Sequence, residues 1–425
     1  MKNSRSSKGI TRVWLPRYAA ALALVGILSG LVGAFFTFVL YGVEHLVFGF
    51  TTGTLAEAIT RVSPLHRFAA VAGAGVLVAV VWYLFRLRGP RIPSPSEIYA
   101  GKRISTRWMA ADPPLQVVNV AAGGSIGREG APRQLGAMSA VKASEFLGLD
   151  EDSCRLLVAC GAGAGLAAIY NVPFGGTVFA IETIIGMHAL RMGLRASLNI
   201  LLSTLSVSWI ATLVARLNVP DRPTYVTDWQ NVDARLLLAA LLIGPLAGAA
   251  GQVFAWMMDR AAAGAPRGAT ILWKMPLCYV LLAGLAIPLP LVLGNGHAMA
   301  QNVFGQNIPL VTAALLILAK PLATLLTVGA GATGGRLTPS LATGAALGFA
   351  LAGLCSGICP LPATDVAILG ATAFLAGAMR APFTAGVLGM EFTGAGPALW
   401  GLAALAVAGA WLTSSGLSRL RPAKN

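Results

Sequence analysis

Charge is scarce in this chain, and acid is scarcest of all. Of its 425 residues 11% are charged, with 16 Asp and Glu against 31 Lys and Arg, while 56% are hydrophobic and 50 are glycine. That balance excludes a soluble enzyme of ordinary composition. Charge-free runs recur instead, among them Tyr18 to Val43, Phe68 to Phe85, Ala196 to Ala215 and Leu236 to Met258. Each is close to the roughly 20 residues that a helix needs to cross a bilayer. From Met275 to Ala319 there is no Lys, Arg, Asp or Glu, enough for two segments joined near Gly294-Asn295-Gly296-His297. No soluble domain of ordinary size is left between the runs, so the chain reads as an all-α, polytopic membrane protein.

Other absences remove whole classes of chemistry. The rival reading from another class, an intramembrane hydrolase, needs a nucleophile beside a base or paired metal ligands. The sequence has no H-E-x-x-H and no G-x-S-x-G set against a histidine. His45, His66, His188 and His297 lack metal-ligand spacing, and no metal or cofactor is expected. The five cysteines, Cys154, Cys160, Cys278, Cys355 and Cys359, are odd in number and sit mostly in apolar sequence, which argues for packing over disulfides.

The positive charge is spread rather than clustered. Lys2, Arg5, Lys8, Arg12 and Arg17 precede the first apolar run, and Arg419, Arg421 and Lys424 end the chain. Both termini are therefore expected in the cytoplasm, with the protein multi-pass in a bacterial inner membrane. The net charge of +15 suits topology and anionic lipid, with no role for nucleic acid. The first segment is too long for a cleavable signal peptide.

What the chain does contain is a repeat. Gly161 to Tyr170, then Asn171-Val172-Pro173-Phe174 and on to Glu182, matches Gly370 to Met379, then Arg380-Ala381-Pro382-Phe383 and on to Glu391, at an offset of 209 residues from Pro173 to Pro382. Upstream, Gly127-Arg128 and Gly136-Ala137 correspond to Gly335-Arg336 and Gly344-Ala345. Two cytoplasmic termini require an even number of crossings, and two odd halves must then be inverted repeats. The expected division is 1–17 basic N-terminus, 18–217 first repeat, 218–235 connection, 236–416 second repeat and 417–425 tail. Glycine and proline punctuation predicts broken, tilted helices beginning after Gly123-Gly124, after Gly334-Gly335 and at Pro93 and Pro95.

Glu129, in Gly127-Arg128-Glu129-Gly130-Ala131-Pro132, is an acid between two apolar stretches. A carboxyl group at membrane depth costs about 3 kcal/mol or much more and marks a task. Helix N-termini around it offer free N–H groups and partial positive charge, which suit an anion. Lys320, ahead of Pro321, reads as a helix-end lysine whose ammonium snorkels to the interface.

Taken together, these residues resemble the CLC family of chloride channels and chloride/proton antiporters. Gly127-Arg128-Glu129-Gly130 is similar to its G-[KR]-E-G-P signature, with Ala131 before Pro132. Gly334-Gly335-Arg336-Leu337-Thr338-Pro339 is similar to its G-G-x-F-x-P loop, with Leu337 in place of Phe, and both proline-led helices fit. The likeness runs from about Tyr18 to Trp411. It implies a homodimer with a pore in each subunit, moving small inorganic anions and protons past Glu129 as a gate. Arg128, Gly130, Leu337 and Thr338 would line the anion path.

Three departures qualify what is implied. The family's serine loop corresponds to Gly89-Pro90-Arg91-Ile92-Pro93, so Pro90 takes the serine's place, a change associated with nitrate over chloride; a shifted register would use Ser94 or Ser96. The antiporters' inner glutamate corresponds to Thr183, which does not titrate at neutral pH, so a proton path through Glu129 and Thr183 is weakened. Tyr279 is the last tyrosine, leaving no counterpart of the family's late inner-gate tyrosine. The expectation is anion transport, of chloride or a similar ion such as nitrate, by antiport or by a passive channel. A fluoride-selective anion/proton exporter is the alternative. Glu182 and Glu391 are read as structural, satisfying helix ends or a subunit contact.

Overall fold

The structure, a computed structural model, describes residues 14–229 and 233–419. Lys2, Arg5, Lys8, Arg12, Arg421 and Lys424, which carry much of the orientation argument, lie outside the described residues. Helices fill the chain. The first set is α1 (Trp14–Phe48), α2 (Leu55–Ala58), α3 (Pro64–Arg88), α4 (Pro95–Tyr99), α5 (Thr106–Ala121), α6 (Gly130–Leu147), α7 (Glu151–Tyr170), α8 (Pro173–Phe179) and α9 (Leu194–Ala215). A π turn over Ala180–Ile185 extends α8. The second set is α10 (Ala234–Ala263), α11 (Ile271–Leu285), α12 (His297–Phe304), α13 (Leu310–Gly329), α14 (Leu337–Cys355), α15 (Ala363–Met379), α16 (Pro382–Thr393) and α17 (Pro397–Arg419).

Eight of these, α1, α3, α7, α9, α10, α13, α14 and α17, are long and apolar enough to cross a membrane. The four charge-free runs fall within α1, α3, α9 and α10. Residues 275–319, expected as two segments, are more broken than that. Pro288, Pro290, Gly294, Gly296 and Pro309 interrupt them, so the short α12 stands between α11 and α13.

The halves are related by an inverting two-fold, visible in reciprocal contacts. Gly127 N donates to Gly335 O at 2.7 Å and Gly335 N to Gly127 O at 2.8 Å, an antiparallel pairing that joins the loops ahead of α6 and α14. α7 ends on Asn171 at φ 56° and α15 on Arg380 at φ 55°, left-handed caps that turn the chain into α8 and α16. Glu182 then accepts from Phe383 N at 3.2 Å and Thr384 N at 2.6 Å. Glu391 does the same for Phe174 N, at 3.1 Å, and Gly175 N. Each acid thus caps the proline-led helix of the other half, where the first turn has N–H groups to spare. The helix-end reading of both glutamates holds.

Small residues let the halves' central helices approach. A β-carbon on Gly136 would strike the Gly161 carbonyl oxygen and the reverse, and Gly344 and Gly370 stand in the same relation. α6 therefore lies directly on α7, and α14 on α15. Beside this close packing the loop ahead of α6 is buried throughout 122–129, while the loop ahead of α14 is exposed at Thr333 and Gly334.

Candidate functional site

Glu129 stands at the start of α6, yet its side chain serves another helix. It is 1% exposed, and Oε1 accepts from Leu337 N at 2.8 Å, the first free N–H of α14. Oε2 faces the Thr338 hydroxyl at 3.4 Å and the Tyr170 hydroxyl at 3.5 Å. One half supplies the carboxyl group and the other its receptor. Both bridging glycines are needed for this: a β-carbon on Gly127 or Gly335 would overlap the Glu129 carboxyl atoms. The sequence thus uses glycine where the acid needs room.

The neighbours fix the geometry. Arg133 Nε donates to the Glu129 backbone carbonyl at 2.9 Å, holding the first turn of α6. Gly130 lies against Gln116, whose Oε1 would touch any β-carbon there. Gln116 Nε2 donates to Asp112 at 2.6 Å and Gln134 at 2.8 Å, and Trp82 Nε1 gives Asp112 a second bond at 2.9 Å. Arg128 makes no ion pair with the carboxyl group of Glu129; its guanidinium lies 5.1 Å over the Tyr170 ring, with Nε and Nη1 unpartnered.

Lys320 does not snorkel. It is 0% exposed, and Nζ donates to Ser125 Oγ and Val292 O, each at 2.9 Å, and to Gly294 O at 2.7 Å. The turn over 292–296 leaves carbonyls without helical partners, and the ammonium satisfies them in the interior, so the lysine has no need of the surface. Ser125 N in turn donates to Thr327 Oγ1 at 3.1 Å. The loop leading to Glu129 is thereby fastened to α13.

Of the predicted site residues, Glu129, Arg128, Gly130, Leu337 and Thr338 come together. Pro90, Ser94 and Ser96 do not join them through any hydrogen bond. All three are exposed, and Ser94 Oγ is taken up by the Glu97 N–H at 3.3 Å as the cap of α4. There the Ser94 N–H, and secondarily Lys102, hold the Glu97 carboxyl down at about 2. Thr183 donates to Phe179 O at 2.6 Å within its own helix and shares no hydrogen bond with Glu129. Tyr170, Arg133 and Ser125 were missed by the sequence reading. Only Tyr170 carried a signal, as the last residue before the break at Asn171. Among the described residues there is no cluster of His, Cys, Asp and Glu that could hold a metal.

Comparison with known proteins identifies the family. The profile described as "Voltage gated chloride channel" matches residues 73–415. The voltage-gated ClC-type chloride channel ClcB of Escherichia coli O9:H4 (strain HS) is 30% identical over 388 residues, covering 87% of this chain and 89% of its own. A putative chloride channel protein, ClcB-like, from Ralstonia nicotianae is 32% identical over 306 residues, 68% of each chain. Among solved structures, a slow cyanobacterial Cl-/H+ antiporter superposes with a TM-score of 0.79 at 24% identity, covering 95% of both chains. A CLC-type fluoride/proton antiporter gives 0.67 at 22%, covering 96% of this chain and 97% of its own. The chain belongs to the voltage-gated chloride channel (CLC) family.

Proposed function

We propose that the Glu129 carboxylate gates an anion pathway by occupying the seat the anion itself would take. Membership of the family makes the chain a membrane anion transport protein, channel or antiporter, and not an enzyme. The observation that carries the gate is the bond from Leu337 N to Glu129 Oε1. A helix N-terminus with an adjacent hydroxyl is a receptor for any small anion, and here a side chain of the other half fills it. Ionised, the carboxylate satisfies Leu337 N and Thr338 Oγ1. Protonated, or outcompeted by a permeant ion, it leaves those donors free. The same acid then links proton and anion. Backbone donors suit conduction because they bind without the grip of a fixed cation.

The ion is chloride or a similar small anion such as nitrate. Thr183, bonded to its own helix, is left out of the proposed proton route. The site works within an integral membrane protein with both termini in the cytoplasm of a bacterial cell. A second copy packs along the apolar groove of about 670 Å³ lined by Phe383, Met390, Trp400 and Trp411, giving a homodimer. The test is flux from liposomes with chloride, nitrate and fluoride in turn while proton movement is recorded. Glu129→Gln should abolish the pH dependence of flux that the gate supplies. Unchanged rate and pH profile in that variant would refute the gate. Proton uptake against its gradient, driven by the anion, marks an antiporter.

A further inference from the structure

Glu44 is the only acid in α1, and the gate does not use it. It sits one turn from the helix end, 7% exposed, and neither carboxyl oxygen has a hydrogen-bond or ion-pair partner among the described residues. A buried carboxyl group left without a partner is costly unless it has work to do. It lines a cavity of about 100 Å³, room for a small anion with water. The titratable and charged groups that face it there are Tyr41 from α1 itself, Arg128 from the gate loop, Tyr170 from α7, Arg222 from the segment after α9, and His297 from α12. Arg128 is itself 7% exposed, and its Nε and Nη1 are unpartnered. One acid thus shares a small, partly open space with two arginines, one of which has two buried donors unused.

The cavity abuts the gate. Arg128 is bonded in sequence to Glu129, and Tyr170 lines the cavity while its hydroxyl reaches Glu129 Oε2 at 3.5 Å.

We propose that this cavity is a second anion site, next to the gate on the side of the C-terminal end of α1, whose occupancy is set by protonation of Glu44. The proposal rests on reading Glu129 as the gate of an anion path. With Glu44 ionised, its charge offsets Arg128 and repels an incoming anion. With Glu44 protonated, the free guanidinium nitrogens hold the anion beside the gate. By linkage, an anion in the cavity raises proton uptake by the same factor that a proton raises anion affinity. Acid on that side therefore loads the pathway independently of Glu129.

The experiment compares chloride flux from liposomes for wild type, Glu44→Gln, Glu129→Gln, Glu129→Gln with Glu44→Gln, and Glu129→Gln with His297→Gln, and the double variants are read against Glu129→Gln. Between about pH 7.5 and about pH 5.5, flux through Glu129→Gln should rise about five-fold or more. It should be flat in the double variant lacking Glu44 and retained in the one lacking His297. A flat profile in Glu129→Gln alone overturns the second site and leaves the gate standing. A profile abolished by His297→Gln instead of Glu44→Gln overturns it too. If Glu129→Gln keeps the wild-type profile and Glu44→Gln alone removes it, the second site stands and the gate falls. Chloride calorimetry on the purified protein is the second measurement. In the Glu129→Gln background, adding Glu44→Gln should give at the higher pH the affinity that Glu129→Gln alone shows at the lower, and equal affinity of Glu129→Gln at both would refute the proposal.

Discussion

The loops before α6 and α14 have the same backbone and opposite duties. Both pass through a glycine and an arginine, and they pair with each other through Gly127 and Gly335. In the first the next residue is an acid whose side chain leaves its own helix. In the second it is Leu337, whose amide receives that acid. The arginines diverge as well: Arg128 is buried over Tyr170, whereas Arg336 reaches an exposed Asp259 at 3.0 Å. The helices leading in differ in sign, since Asp112 in α5 and Lys320 in α13 hold the same place ahead of their loops, 208 residues apart. The two loops form one two-fold cradle whose contents do not obey the symmetry.

The comparison breaks most readily at Lys320. Lys320→Met should destabilise the protein by about 3–5 kcal/mol, because Ser125 Oγ and two carbonyls lose a buried partner. Chemical denaturation in detergent would measure it, and a change under 1 kcal/mol would mean that the ammonium is not holding the loop. Glu182→Gln and Glu391→Gln test the symmetric part. Each weakens two charge-assisted caps and should cost about 1.5–3 kcal/mol, with similar values for the two. Clearly unequal costs would show that the proline-led helices are not equivalent.

Gly335→Ala sharpens the asymmetric part. Its added carbon collides with the Glu129 carboxyl group, so the acid must vacate its seat, at a packing cost of about 1–3 kcal/mol. Chloride flux should lose the part of its pH dependence that the gate supplies, as in Glu129→Gln, and the substitution should add nothing in a Glu129→Ala background. A wild-type pH profile kept unchanged in Gly335→Ala would contradict the seat. The least effect is expected from Arg336→Ala, whose exposed pair with Asp259 contributes about 0–1 kcal/mol in thermal unfolding.

Much of this was legible before any coordinates. Glu129 was visible as an acid in apolar sequence, and the Pro-Phe-to-Glu spacing exposed the repeat because both copies keep the same capping geometry. Lys320 misled because sequence reports that a helix is apolar without reporting which of its faces is internal; only the turn over 292–296 reveals acceptors waiting there. Tyr170 was invisible as a site residue because its role depends on where a left-handed cap at Asn171 turns the chain. Ser94, a candidate ligand by residue type, is used up by its own helix start, a local demand that competes with any distant one.

The pairing of Gly127 with Gly335 has a mechanical consequence. Two short backbone bonds stitch opposite halves together at the very spot where the carboxyl group crosses between them. A carrier that rocked its halves apart would shear that stitch with every cycle and strand two amides and two carbonyls in hydrocarbon. On the proposed gate, throughput would be metered by torsion about the χ angles of Glu129 while the Gly127–Gly335 pairing stays closed.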